Sequence, residues 1–265
     1  MENKKLLAFD IDGTILPRGY KAMPIDTRLA IDKAHRLGHH VMISTGRCPY
    51  FIPSSIKRDL DYDYLVTING ALVTDANEEP IDEHYMSLES CESVIASCLK
   101  YDVAFALKCK EEMPVYNRYA DYVKSYIDDI ETPAFLTDYT TKRDYHLNHN
   151  VYGIFIIGSD EAMNHVKDEN PEVTWVIAYE GAKECYPIGT SKKEGIKFIL
   201  DKYGLTYEDL ICFGDGENDM EMLSYAKVGV ALGNASDKVK ASASYVSSDC
   251  DKGGIADALK HFNII

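Results

Sequence analysis

The sequence predicts an α/β protein: a doubly wound parallel sheet into which a separate α+β unit is inserted. Two observations carry this. Strand and helix patterns alternate through residues 1–82 and again from 189 to 265, the rhythm of βαβ units sharing one sheet. Residues 83–188 instead mix helical stretches with β-branched and aromatic runs and keep no such rhythm. A core domain made of 1–82 and 189–265 is therefore expected around an inserted domain, 83–188.

In order along the chain, KKLLAFD is a strand apolar on both sides of the pleat, as a central parallel strand must be. PIDTRLAIDKAHRLG carries Ile31, Ala34 and Leu37 at helical spacing, with Gly38 at the stop. HHVMIS is the next strand, a helix follows around Ile52 to Leu60, and DYLVTI is a third strand. After Asn69-Gly70, ALVTDANEEPIDEHY reads as a hairpin leading away from the sheet. In the middle segment SLESCESVIASCLKY is a helix, and VYGIFIIG and VTWVIAY are strands. The core rhythm returns at Ser191, which forms a capping-box pair with Glu194. Ile196, Ile199, Leu200 and Tyr203 continue that helix until Gly204, and DLICFG, AKVGVAL and ASYVS follow as strands.

Composition narrows the function. At 46% hydrophobic and 27% charged residues the chain has an ordinary globular balance, and no apolar run approaches a membrane span. The N-terminal run is broken by Asp10 and Asp12 and offers no small-residue cleavage site, so it does not read as a signal peptide. The net charge of −15 argues against nucleic acid, an anionic membrane surface or a large polyanion as partner. It leaves room for a small phosphorylated metabolite, which feels the local field of its pocket. Cys48, Cys91, Cys98, Cys109, Cys185, Cys212 and Cys250 form no C-x-x-C pair, and their odd number and apolar settings point to a reducing, cytoplasmic compartment. Monomer and homodimer leave no distinguishing pattern.

Four stretches at predicted strand ends carry chemistry. Asp10 and Asp12 in DIDGT stand two apart, on one side of an extended chain, at the carboxyl end where open α/β sheets bind ligands. The bland alternative is a turn, since Asp-Gly is a common turn dipeptide. GDGENDMEML gathers Asp215, Glu217 and Asp219 after another strand; acids also suit a helix N-terminus, but clustered carboxylates at two strand ends invite a hard cation such as Mg²⁺. Lys192 and Lys193 in SKKEG occupy the helix end least suited to cations, which suggests an anion-holding role for Lys192 and a solvated surface for Lys193. In STGR a hydroxyl from Ser44 or Thr45, the backbone N–H near Gly46 and the Arg47 guanidinium could all face an anion.

Taken together these motifs resemble the haloacid dehalogenase superfamily of phosphohydrolases. DIDGT looks like its first motif, Thr45 its second, Lys192 its third and GDGEND its fourth. INGALV, VGVALGNASDKVKASASYV and GGIADAL look like the Cof-type branch, in which a type II α+β cap is inserted into a Rossmann-like core. The resemblance implies a Mg²⁺-dependent phosphatase acting on small phosphomonoesters, sugar phosphates or related metabolites. In that scheme Asp10 is the nucleophile that becomes an aspartyl-phosphate, and Asp12 the general acid and base. Mg²⁺ is held by Asp10, the backbone carbonyl of Asp12, and Asp215, while Asp219 orients the metal's surroundings or Lys192. Thr45 and Lys192 offset charge on the phosphoryl oxygens, with Gly46, Arg47 and Asn218 as further substrate contacts. A phosphomutase or a catalytically idle phospholigand-binding protein are the alternatives.

Eleven of the 19 tyrosines fall in the inserted segment. Tyr119, Tyr122 and Tyr126 share a helical face with Val123, which reads as core rather than as a sugar-binding ring. His84, His146 and His149 lack ligand spacing, and Trp175 reads as a packed strand residue.

Overall fold

The computed structural model describes residues 4–126 and 133–265. Its contacts divide the chain into two units: 1–46, 52–82 and 191–265 form the first, 47–51 and 83–190 the second. Arg47–Phe51, which begins with the last residue of STGR, thus belongs with the second unit.

Among the described residues the first unit is built on an eight-stranded sheet. Its strands are β1 (Leu6–Phe9), β2 (His40–Ser44), β3 (Tyr64–Thr67), β4 (Leu72–Asp75), β5 (Pro80–Glu83), β12 (Leu210–Gly214), β13 (Val228–Ala231) and β14 (Tyr245–Val246). They lie in the order β14-β13-β12-β1-β2-β3-β4-β5. From β14 to β3 every pairing is parallel. Helices α1 (Ile25–Arg36), α2 (Ser54–Asp59), α6 (Lys192–Tyr203), α7 (Met220–Tyr225), α8 (Asp237–Lys240) and α9 (Gly254–His261) complete the unit.

β1 shows why the layers form. Leu7 and Phe9 enter one core with Ile31, Val41, Ile43, Phe213 and Ile255, while Leu6 and Ala8 enter another with Met42, Val66, Ile196 and Cys212. Both faces of the strand are therefore buried, and each fully buried Leu or Phe contributes about 1.5–3 kcal/mol. Phe9 also stacks on Phe213 with ring centroids 4.6 Å apart.

Three local expectations change. The segment after Asn69-Gly70 does not leave the sheet: β4 runs back antiparallel beside β3, with Val73 opposite Val66, and β5 takes the edge. The cause is a left-handed run, Ile68 to Gly70, that reverses the chain tightly enough to deliver the next strand to the open side of β3. The capping box at α6 is half formed. Ser191 Oγ accepts the Glu194 N–H at 3.4 Å, but the Glu194 carboxylate pairs with Lys197 at 2.8 Å and Lys193 at 3.2 Å. α2 is shorter than the predicted stretch because Pro53 fixes its start.

The second unit has a six-stranded sheet among the described residues, in the order β10-β11-β9-β6-β7-β8. These strands are β6 (Ala104–Lys108), β7 (Met113–Asn117), β8 (Leu136–Asp138), β9 (Gly153–Ile157), β10 (Val173–Tyr179) and β11 (Ala182–Pro187), with helices α3 (Leu88–Lys100), α4 (Tyr119–Tyr126) and α5 (Asp160–Glu169). α3 and α5 bury Val94, Cys98, Met163 and Val166 against Phe105, Leu107, Ile154 and Ile156. From alternate positions Lys108 donates to Glu184 at 2.8 Å and to the Tyr186 hydroxyl at 3.1 Å, all three side chains buried. Tyr122 is buried and Tyr119 donates to the Leu136 carbonyl at 3.0 Å, as core residues do; the Tyr126 side chain lies outside the described residues. Trp175 packs at the edge of the same core and donates Nε1–H to the Asn170 carbonyl. The seven cysteines are free thiols and buried. Among the described residues no helix is long and apolar enough to cross a membrane.

Candidate active site

Neighbouring parallel strands β3, β2, β1, β12 and β13 all end on the same side of the first unit's sheet. The loops that follow them carry, in that spatial order, Asn69, Thr45, Asp10, Asp215 and Asn234. The chain steps from β1 to β2 and β3 on one side, and its later strands β12 and β13 occupy the other. This is the topological switch point at which open α/β sheets bind ligands.

Asp10 follows immediately after β1, its N–H donating to the Phe213 carbonyl at 3.0 Å. Asp12 stays close enough for its charge to act on Asp10. The strand ends at Phe9, the chain turns, and Gly13 N–H closes onto the Leu16 carbonyl at 2.8 Å. Asp10 is buried and Asp12 exposed. Gly13 has φ +78°, and a Cβ there would stand 2.2 Å from Asp215 Oδ2, so only glycine lets the turn lie against that carboxylate.

Lys192 opens α6 yet is 1% exposed. Its Nζ donates to Asp10 Oδ1 at 2.6 Å and to Asp219 Oδ1 at 2.7 Å. Burial pulls its pKa down, but the two carboxylates outweigh that and hold it above the usual lysine value. Lys193 turns instead to Glu194 and Glu221, 3.2 and 3.4 Å away. The neighbouring lysines therefore divide as their sequence context suggests, one inside and one on the surface.

Asp219 is fully buried. Besides binding Lys192, it accepts the N–H groups of Asp215 at 3.0 Å and Gly216 at 2.8 Å through Oδ2. It thereby locks the turn after β12 to the lysine. Asp215 receives Thr14 Oγ1–H at 3.4 Å and Asn234 Nδ2–H at 3.2 Å, with the exposed Arg18 guanidinium 3.7 Å away. Burial, then the nearby Asp219 charge, pushes its pKa up to about 6. Burial first, then Asp219, also raises Asp10 well above the usual carboxylate range; Lys192 opposes this, and Asp12 and Asp215 add to it.

Asp10, Asp215 and Asp219 bring carboxylate oxygens within 4.8 Å of one another, with Lys192 as the buried cation bonded to the group. This is an oxygen-only donor set with a surplus of negative charge, and that chemistry fits a hard divalent cation.

Thr45 is 1% exposed; its N–H donates to the Val66 carbonyl and its carbonyl accepts the Asn69 N–H. Asn218 donates Nδ2–H to Asn69 Oδ1 at 2.9 Å, and the Asn69 carboxamide lies against Gly46. Asp10, Thr45, Gly46, Lys192, Asp215, Asn218 and Asp219 thus share one unit and a connected set of loops. Arg47 belongs to the second unit, where its Nη1 donates to the Phe51 carbonyl at 2.7 Å.

Sequence reasoning assigns no role to Asn69 or Asn234. Asn234 donates to the Gly13 carbonyl at 2.8 Å as well as to Asp215, and accepts the Cys250 N–H at 2.9 Å. It ties the turn after Asp10 to the Asp215 carboxylate. The available signal was an Asn beside a Gly at a parallel strand's end, in Asn69-Gly70 and Gly233-Asn234.

This fold and site define a class, and the chain belongs to it: residues 7–259 match the haloacid dehalogenase-like hydrolase family. The match bears out the resemblance read from the four motifs. Among relatives, the Bacillus subtilis (strain 168) protein YkrA, which carries a provisional phosphatase name, is 30% identical over 99% of both chains. YitU of the same organism, named a 5-amino-6-(5-phospho-D-ribitylamino)uracil phosphatase, is also 30% identical over 99% of both chains. Among solved structures, the HAD subclass IIB sugar phosphatase BT4131 superposes with a TM-score of 0.87 at 30% identity, covering 99% of this chain and 100% of that one.

Proposed function

We propose that this chain, a phosphoric monoester hydrolase of the haloacid dehalogenase type, is a Mg²⁺-dependent phosphatase of sugar phosphates or closely related polyol phosphates, working through an aspartyl-phosphate. The observation that carries the reading is the pairing of a buried, lysine-bound Asp10 with an exposed Asp12 two residues on. A site that only bound phosphate would have no use for a second acid at that spacing.

An Asp10 oxygen attacks phosphorus as the bond to the leaving oxygen breaks, and Asp12 gives its proton to the departing alkoxide. Asp12 then takes a proton from the water that cleaves the acyl-phosphate, which returns Asp10 as a carboxylate and releases phosphate. Lys192 and Thr45 offset the charge on the transferring oxygens, assisted by Gly46 N–H, Arg47 and Asn218. Asp10, the Asp12 backbone carbonyl and Asp215 would hold Mg²⁺. Bound there, the ion supplies the positive charge that lets an anionic nucleophile meet an anionic phosphate. Asp219 serves as a positioning group for Lys192 and the Asp215 turn.

The second unit, inserted into the chain between β5 and α6, is read as the cap that selects the leaving group. Two relatives support the substrate class: one is named for a phosphoribityl compound and the other as a sugar phosphatase. The cytoplasm suits a chain whose seven buried thiols are free.

The test is phosphate release from a panel of sugar phosphates, polyol phosphates and nucleotides, with Mg²⁺ and with chelator. Release that needs Mg²⁺, favours sugar or polyol phosphates and disappears in Asp10→Asn is the expected result. Release that persists in Asp10→Asn would remove the nucleophile assignment, and transfer of the phosphoryl group between substrate positions without release would favour a mutase.

A further inference from the structure

We propose that Asn69 is a positioning residue of the phosphate site, held in a strained turn so that its side chain sets the orientation of Asn218. The inference rests on the reading of Asn218 as a phosphate contact.

Ile68, Asn69 and Gly70 have φ of +51°, +50° and +98° in succession. A buried β-branched residue with positive φ is a backbone outlier, and such conformations persist only where the surroundings over-determine them. Here they do. Asn69 N–H donates to the Thr45 carbonyl at 3.0 Å, which fixes the turn to the loop after β2. At Gly70 the chain runs so close to α6 that a Cβ would stand 2.1 Å from the Ser191 carbonyl oxygen, directly before Lys192. Asn69 Oδ1 accepts Asn218 Nδ2–H from the loop after β12. One turn with no assigned chemistry thus touches the loops that carry Thr45, Lys192 and Asn218.

The side chain adds what the backbone cannot. A carboxamide has two faces of opposite character, and an unheld Asn218 could present either its oxygen or its amino group to an anion. Accepting one Asn218 amino hydrogen fixes which end is which, and leaves the other hydrogen on the same nitrogen for a phosphate oxygen. Asparagine is also the side chain that tolerates the left-handed conformation while offering an acceptor.

The test separates backbone from side chain. Asn69→Gly keeps the left-handed turn open and removes only the acceptor; Asn218→Ala and the double variant complete a cycle. Calorimetric binding of inorganic phosphate in Mg²⁺, together with kcat/KM for p-nitrophenyl phosphate, gives a readout that loss of fold would not mimic, with melting temperatures as control. Asn69→Gly is expected to weaken phosphate binding about ten-fold, Asn218→Ala by a similar factor, and the double variant no further than either. Losses that multiply in the double variant, or an Asn69→Gly protein that binds phosphate as the parent does while Asn218→Ala binds weakly, would overturn the role of Asn69 alone. A parent that binds no phosphate, or an Asn218→Ala protein indistinguishable from it, would overturn the phosphate reading and this inference together.

Discussion

Lys192 shows how one residue reconciles conflicting demands. A lysine in the first turn of a helix opposes the dipole, and its burial costs solvation, yet it meets Asp10 and Asp219 at hydrogen-bond distance from both. Its charge is what makes the carboxylates tolerable in a dry site. Replacing it with methionine keeps most of the volume and strands that negative charge. The expected loss, with chelator present, is about 3–5 kcal/mol, the scale for breaking a buried ion pair. On the proposed reading Mg²⁺ binds the folded state's cluster and not the unfolded chain, so adding it should recover part of this loss and stabilise Lys192→Met more than it stabilises the parent. Urea unfolding of both proteins in chelator and in Mg²⁺ checks this. A deficit of the same size in both conditions would mean that the lysine does not serve to balance the carboxylates.

The elements explain why some of this was legible and some was not. Asp10 and Asp215 could be read because apolar strands such as LLAF and LICF announce their own ends, Lys192 because a cation opening a helix opposes its dipole, and Thr45 is separated from Ser44 by the family resemblance. Asn69 and Asn234 could not, because their importance lies in which loops they join. Asn234 reaches back 221 residues to Gly13, and Asn218 reaches Asn69 across 149, distances over which no local pattern operates. The reversed direction of β4 escaped for the same reason. It depends on a left-handed run containing Ile68, a residue no propensity scale would place there. Gly70 is where that run meets α6. Gly70→Ala forces a side chain into φ +98° and against the Ser191 carbonyl, so it should destabilise the protein by at least about 1 kcal/mol and displace Lys192. A larger proportional fall in kcat than in the urea midpoint is expected; a stable protein with parental kcat would show that the α6 terminus has room to move.

At the scale of the whole molecule, the chain divides into two units, and the proposed function gives the first the chemistry and the second the selection. The first unit closes its two cores with its own residues, and it supplies the carboxylates, Lys192, Thr45, Asn69 and Asn218. The second unit has its own core and sheet, and Arg47 belongs to it. If it reads the leaving group, then removing it should spare the chemistry and erase the preferences. A chain in which residues 83–190 are replaced by a flexible Gly-Ser linker tests this, with Tyr50 and Phe51 changed to serine because their rings pack on Phe135 of the removed unit. Mg²⁺-dependent turnover of p-nitrophenyl phosphate is expected to survive in the first unit, which holds the proposed nucleophile and metal ligands. The ratio of kcat/KM between the best and worst sugar phosphates should fall toward unity, because specificity is a difference in transition-state binding and its source would be gone. Preserved ratios in a folded, active first unit would place selection in the strand-end loops themselves, and would leave the second unit with a purely protective role.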